Sequence, residues 1–312
     1  MRKLWISLAV VFFLLLGSFY IFFPSKISFD DTTTARCTSV GAARTLADQS
    51  TWKKWWPSAG QSEADGTFTY NHVRYHVGEK YYNGVAVSIE TDNLKITSRI
   101  NVFHLTTDST AIEWVATGHS SLNPLKKLNQ RKEAETIQSN TPELLQKMRE
   151  FLTKKENIYG IPITQTSTKD TILIFTSASY PEKPGYAEIY GLIEVLKKYA
   201  ASHGCTQNGD PLLNITRMGP HTYLTRVAIP LDKYIKGTDK IEPKRMVPGN
   251  FLMTEVVGGE GTVDYAFGQI KQFMQDYGKS VVAIPFQYLV TDRLAEKDSS
   301  KWVTKIYQPI YY

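Results

Sequence analysis

The sequence predicts an α+β protein with three parts. An apolar membrane anchor comes first, then a curved antiparallel sheet with a long C-terminal helix, then a domain that uses one strand–helix–strand–strand unit twice. Three observations carry this. Residues 4–23, "LWISLAVVFFLLLGSFYIFF", are apolar and uncharged. Four runs rich in β-branched and aromatic residues lie between 68 and 118, and an amphipathic stretch follows at 141–155. Finally, "YLTRVAIPL" (223–231) nearly superposes on "WVTKIYQPI" (302–310), 79 positions further on.

The first element reads as an uncleaved signal anchor. About 20 residues at a rise of 1.5 Å cross a hydrocarbon layer of about 30 Å. The run ends in "IFFPSK" rather than in small residues suited to cleavage. Arg2 and Lys3 precede it, so the positive-inside bias puts the N-terminus in the cytoplasm and the rest outside, in the periplasm or its equivalent. The 312 residues carry a formal charge of +6, which falls to +4 once Arg2 and Lys3 are set aside. That charge is mild, and no basic stripe interleaved with stacking aromatics accompanies it, so nucleic acid is not an expected partner. The two cysteines, Cys37 and Cys205, read as partly buried thiols, and no zinc spacing is present.

The second part spans 27–155. "SVGAARTLADQSTWKKWWP" (39–57) gives a short helix and a tryptophan cluster stopped by Pro57. The strand-like runs are "FTYNHVRYHV" (68–77), "VAVSIET" (85–91), "LKITSRINVFHL" (94–105) and "STAIEWVATG" (109–118). In "TPELLQKMREFLTKK", Thr141 reads as a cap and Pro142 as the first helical residue. The run "KKLNQRK" (126–132) reads as a solvated loop or helix face. A long helix over a curved sheet is expected to enclose a cavity. His72 and His76 share a face of the first run, but four strand residues span about 13 Å, too far for one ion. This order of elements, with "TWKKWWP" after the first helix and "FPSKISFDDTTTA" (23–35) before it, resembles the START-like SRPBCC superfamily, whose polyketide cyclase-like members have a helix-grip fold. The resemblance implies an apolar ligand without naming one.

After a linker at 154–170, the repeat occupies 157–312. The stripe Ile189, Ile193, Leu196, Ala200 returns as Ala266, Ile270, Phe273, Tyr277, every pair 77 apart. A strand precedes each helix ("TILIFTSA", "NFLMTEVV") and a proline-led strand follows ("PLLNITR", "PFQYLVT"). Two-fold pairing of these units makes one sheet with two helices on a face. The segments "VPGNFLM", "YAFGQIKQFM", "IPFQYLVTD" and "WVTKIYQPI" resemble the GyrI-like family, the effector-binding domain of transcription activators. That resemblance implies a ligand pocket between the repeats, lined by aromatics, often with a carboxylate for cationic ligands.

The family's glutamate position holds Gln287 here, and an acidic position of the last strand holds Lys305. A neutral or anionic apolar or amphipathic ligand is therefore expected, bound without a cofactor or metal. Tyr190, Phe267, Gln287 and Trp302 are expected to line the pocket, followed by Tyr223, Tyr307 and, as a remaining acid, Glu255. Tyr190 and Phe267 are expected at equivalent places in the two repeats. No GxSxG, HExxH, P-loop or dinucleotide pattern occurs, so binding is favoured over catalysis. A hydrolase or cyclase acting in one of the pockets, or a scaffold with closed pockets, is the alternative.

Overall fold

Buried and more exposed positions alternate with period two along many strands of both sheets of the computed structural model. The structure describes residues 25–57, 66–168, 171–246 and 248–311, with a few positions before residue 24. The expected anchor at 4–23 lies mostly outside these. Among the described residues no helix is long and apolar enough to cross a membrane. The chain forms two compact units, Met1–Lys154 and Lys155–Tyr312, each with its own antiparallel sheet.

In the first unit, β1 (Lys26–Ala35) leads into helix α1 (Ser39–Ala47) and a single turn, α2 (Gln49–Trp52). The meander β2 (Thr67–Tyr70), β3 (Val73–Tyr81), β4 (Gly84–Glu90), β5 (Lys95–Thr106) and β6 (Ser109–His119) follows, then helix α3 (Pro124–Thr153). The six strands form a curled half-barrel in the order β1-β6-β5-β4-β3-β2. Val73, Tyr75 and Val77 of β3 point inward between exposed Arg74 and His76; Val85, Val87 and Ile89 of β4 do the same.

Three expectations need correcting in this unit. The run 68–77 is a hairpin, not one strand. Asn71 (φ 47°) and His72 (φ 63°) both adopt left-handed backbone, as a two-residue type I′ turn requires. His72 therefore sits in the turn and shares no strand face with His76.

The long helix starts at Pro124, capped by Asn123, whose side chain accepts from the amides of Leu125 and Lys126 at 3.1 and 3.3 Å. Pro142 lies inside it and removes one rung of the hydrogen-bond ladder. The buried Thr141 hydroxyl donates to the Ile137 carbonyl one turn back (3.0 Å).

Rings pack much of the core where a cavity was expected, and a hollow of about 160 Å³ lies between α3 and β1, lined by Ile27, Phe29, Ala134 and Gln138 among others. Trp52, Trp56, Phe68, Tyr75 and Trp114 are all buried, with neighbouring centroids 5.2–6.0 Å apart. Buried Asn140 of α3 ties this core to the hairpin: it accepts from the Asn71 amide (2.9 Å) and donates to the Tyr75 hydroxyl (3.3 Å).

The second unit opens with α4 (Lys155–Tyr159) and β7 (Thr164–Ser167). Much of the expected linker is thus folded, with Tyr159, Ile161 and Ile163 buried in a core. Then come β8 (Thr171–Tyr180), α5 (Tyr186–Ser202), β9 (Leu212–Gly219), β10 (Thr222–Leu231), β11 (Glu242–Met246), β12 (Asn250–Val257), α6 (Glu260–Asp276), β13 (Phe286–Leu289) and β14 (Val303–Ile310). The sheet order is β11-β8-β10-β9-β13-β14-β12-β7. It reads as a palindrome: β8, β10 and β9 mirror β12, β14 and β13 across a seam between β9 and β13. Two ladder pairs, Gln287–Leu213 and Tyr288–Leu212, make that seam.

Each helix covers its own repeat. Ile189, Ile193, Leu196 and Ala200 of α5 pack on Val227, Ile229 and Leu231 of β10. Val263, Ala266, Ile270, Phe273 and Met274 of α6 pack on Leu252 and Val256 of β12 and on Ile306 and Ile310 of β14. The helices correspond through their caps, Gly185 with Gly259 and His203 with Tyr277, both 74 positions apart. The stripe offset of 77 is one turn out. By the caps, Tyr190 corresponds to Asp264 and Phe267 to Ile193, so Tyr190 and Phe267 are not equivalent. An amphipathic stripe matches itself when slid by three or four residues, and that hid the register.

Candidate functional site

Where the seam stops, the sheet splays. Beyond Leu213 the ladder between β9 and β13 ends, and the Asn214 amide reaches across to the Pro285 carbonyl (2.8 Å). Above this gap lie the first two turns of α5 and α6. Between them is a cavity of about 310 Å³. Its apolar wall includes Ile189, Ile215, Val263 and Phe267; its polar wall includes Asn214, Gln287, Tyr186 and Arg293.

The charges on the wall form two groups. Lys183, from the β8–α5 connection, pairs with Glu260 (2.9 Å) and lies 4.0 Å from Asp264, both on α6. Burial works against its charged form, but these acids, Glu260 first, raise its pKa overall. Arg217 donates to the carbonyls of Gly219 (3.2 Å) and Pro220 (3.4 Å), and Arg293 to two hydroxyls. No carboxylate among the described residues pairs with either guanidinium. Burial pushes the Tyr186 phenol up to about 12 against the pull of Arg293, so it is a neutral donor and acceptor at physiological pH.

Two buried polar atoms at this wall have no partner: Oε1 of Gln287 and Nε of Arg293. Gln287 sits on the helix-facing side of β13, between Ile306 and Leu213 in the ladder. Its carbonyl oxygen is a buried acceptor with no protein donor among the described residues, a group that costs stability unless something satisfies it.

The structure brings three of the expected site residues to this cavity: Phe267, Gln287 and Tyr223. The other four lie elsewhere. Tyr190 is buried beneath the wall, where its hydroxyl accepts from the Arg293 amide (2.9 Å) and donates to the Thr291 carbonyl (3.3 Å). Trp302 stands behind Arg293, its ring edge-on to Tyr186 at 4.9 Å and its indole donating to the Glu296 carbonyl (2.8 Å). Both hold the wall rather than face the cavity.

Glu255 and Tyr307 are on the opposite face of the sheet, because alternate residues of a strand face opposite ways. Glu255 is exposed and meets Lys305 at 3.6 Å, so a hydrolytic reading that needs this acid buried has no support. Tyr307 stacks on Phe286 (5.5 Å, 2°) and borders a second hollow of about 300 Å³ together with Tyr288 and Lys305. Lys305 therefore says nothing about the charge of the cavity between the repeats.

Arg293 was missed by sequence reasoning. It lies in the connection 290–302, which has no length counterpart in the first repeat, and that mismatch was the available signal. Among the described residues no cluster of His, Cys, Asp or Glu could hold a metal ion.

No family model and no curated protein matches the chain. Several solved structures are distantly similar to about half of the chain. The crystal structure of the EcmrR C-terminal domain shares 13% identity at a TM-score of 0.43, covering 48% of this chain and 98% of that one. SAV2435 bound to tetraphenylphosphonium shares 12% identity at 0.35, covering 48% and 94%. A hydrolase from Listeria innocua shares 11% at 0.38, covering 48% and 91%.

Proposed function

We propose that this chain is a binding protein that holds a small apolar or amphipathic molecule in the cavity between the two repeats of its second unit. In this reading the N-terminal apolar run anchors it in the cytoplasmic membrane and both units lie outside the cytoplasm. The second unit is of the GyrI-like effector-binding type. The first, of START-like type, serves as a structural domain. Phe267, Tyr223 and Gln287 contact the ligand directly, while Tyr190 and Trp302 keep the wall in place.

One observation carries the reading: a cavity of about 310 Å³ at a two-fold seam with the buried, unpaired Gln287 Oε1 on its wall. Its volume falls at the lower end of the range for small-molecule sites, about 300–1,000 Å³. The mixture of an apolar lining and a few placed polar groups suits a ligand that is mostly hydrocarbon or aromatic.

The test is native mass spectrometry of the full-length chain purified from its own host. A retained small molecule that is lost in Phe267→Ala and Gln287→Leu supports the reading. No adduct, together with no thermal shift across a library of small apolar molecules, overturns it.

A further inference from the structure

The two repeats differ most in their connections. The β8–α5 link, 181–185, has five residues where β12–α6 has two, Gly258 and Gly259. The β9–β10 hairpin turns on Pro220 and His221, whereas β13 and β14 are joined by 290–302. Each longer connection delivers a cation to the cavity: Lys183 from the first, Arg293 from the second.

The two cations are treated differently. Lys183 is neutralised by Glu260 and Asp264. Arg293 is 4% exposed, and among the described residues its side chain donates to the Tyr186 hydroxyl (2.5 Å), through which Glu260 reaches it indirectly, and to the Thr304 hydroxyl (2.7 Å), with no carboxylate bonded to it directly. Its guanidinium lies 4.7 Å from the Tyr186 ring and 5.2 Å from that of Trp302. Tyr190 fixes its backbone amide. The group is held from several directions, yet its Nε is buried and unpaired. A guanidinium has five N–H donors, two of which are given to hydroxyls here, and a pair of such donors forms the fork that meets a carboxylate's two oxygens. A buried charge without a counter-charge is costly, and an incoming anion removes that cost. Across the wall three cations, Lys183, Arg217 and Arg293, face two acids, Glu260 and Asp264, which leaves one positive charge over.

We propose that the cavity takes an amphipathic organic anion, its carboxylate or sulfonate head on Arg293 and its apolar body against Ile189, Ile215, Val263 and Phe267. This rests on reading the cavity as a ligand site and adds the sign and position of the ligand's charge.

The experiment is isothermal titration of the full-length chain with three probes that share one body: 4-phenylbutyrate, 4-phenylbutan-1-ol and 4-phenylbutylammonium. The anion is expected to bind tightest, about tenfold or more ahead of the ammonium. Arg293→Gln should shrink that preference to below about threefold. Arg293→Lys, which keeps the charge but loses the fork, should weaken the anion while keeping the rank order. If neither variant folds, the rank order of the unmodified chain decides. An ammonium or alcohol that binds as tightly as the anion overturns this inference and leaves the ligand-site reading intact. So does a folded Arg293→Gln with undiminished preference. No binding of any of the three probes counts against both.

Discussion

The two units use the same materials to opposite ends. Each lays helix over the buried face of an antiparallel sheet. In the first, one long helix crosses a single curled sheet, and five large aromatic side chains pack together in the core. In the second, two helices each pack on their own half of the sheet. Neither helix covers the seam, and the hollow is what remains between two complete cores. A ligand space therefore need not be carved out of a core; it can arise where two cores stop short of one another. The polar contrast is local to two places: buried Asn140 of the first unit has partners on both sides, while Gln287 Oε1 and Arg293 Nε beside the cavity of the second have none; each unit also holds other buried polar atoms without a partner, Trp55 Nε1 in the first among them.

The contrast can be broken most forcefully at Trp114, whose indole donates to Ser98 in the middle of the first unit (3.0 Å). Trp114→Ala should cost about 3–5 kcal/mol, read as a shifted first-unit transition in denaturant unfolding, with probe binding unchanged. If binding is lost in a folded variant, the units are not independent in the way their separate cores suggest. Next comes Asn140→Ala, which leaves the Tyr75 hydroxyl and the Asn71 amide without their partner and should cost about 1–3 kcal/mol in the same assay.

Phe267→Ala should show the reverse pattern. It faces an existing hollow, so its stability cost should stay near 1 kcal/mol, below the range for filled cores, while affinity for an aromatic probe drops about tenfold by calorimetry. Lys183→Met should move binding more than stability: with Glu260 and Asp264 unmasked, 4-phenylbutyrate weakens and 4-phenylbutylammonium gains.

The smallest effect concerns Cys37, fully buried and with its thiol pushed up to about 11, mainly by burial. The folded chain holds this proton more tightly than the unfolded chain, whose value is near 9. Its contribution to stability is therefore intact below pH 9 and declines as pH rises from 9 towards 11. Cys37 should resist alkylation at pH 8 until the first unit unfolds. Rapid labelling in the folded state would show that the aromatic core is less sealed than its burial implies.

Much of this architecture could be read from residue types. Strict alternation in "VAVSIET" and "STAIEWVATG" locates strands because only one face of each meets a core. The order of elements around "YLTRVAIPL" and "WVTKIYQPI" locates a duplicated unit, and hence the seam. What escaped has physical causes. A proline after threonine looks the same at a helix start as inside a helix whose neighbouring turns hold it, which displaced the beginning of α3 by more than four turns. Asn71 and His72 carry no glycine, yet asparagine tolerates left-handed backbone, so the hairpin looked like one strand. In the site, strand parity separates Gln287 from Tyr307, and parity across a ladder needs the register, which only the paired strands reveal. Arg293 lies in an irregular connection, where no period marks a residue as inward-facing.

The short seam has a further consequence. From Asn214 to Gly219, β9 is paired along one side by β10 and runs past the end of its ladder with β13 on the other. It is an edge strand in the interior of an eight-stranded sheet. Edges on the rim of a sheet invite other chains to add to them, and proteins blunt them with charge, proline or cover. This one is hemmed in by its own molecule: Asn214 bridges to the Pro285 carbonyl, Arg217 turns back on the following turn, and the starts of two helices lie over it. The duplication thus leaves a stretch of strand backbone bordering the cavity, where a small molecule rather than a neighbouring strand lies alongside Asn214 and Ile215 in the proposed reading.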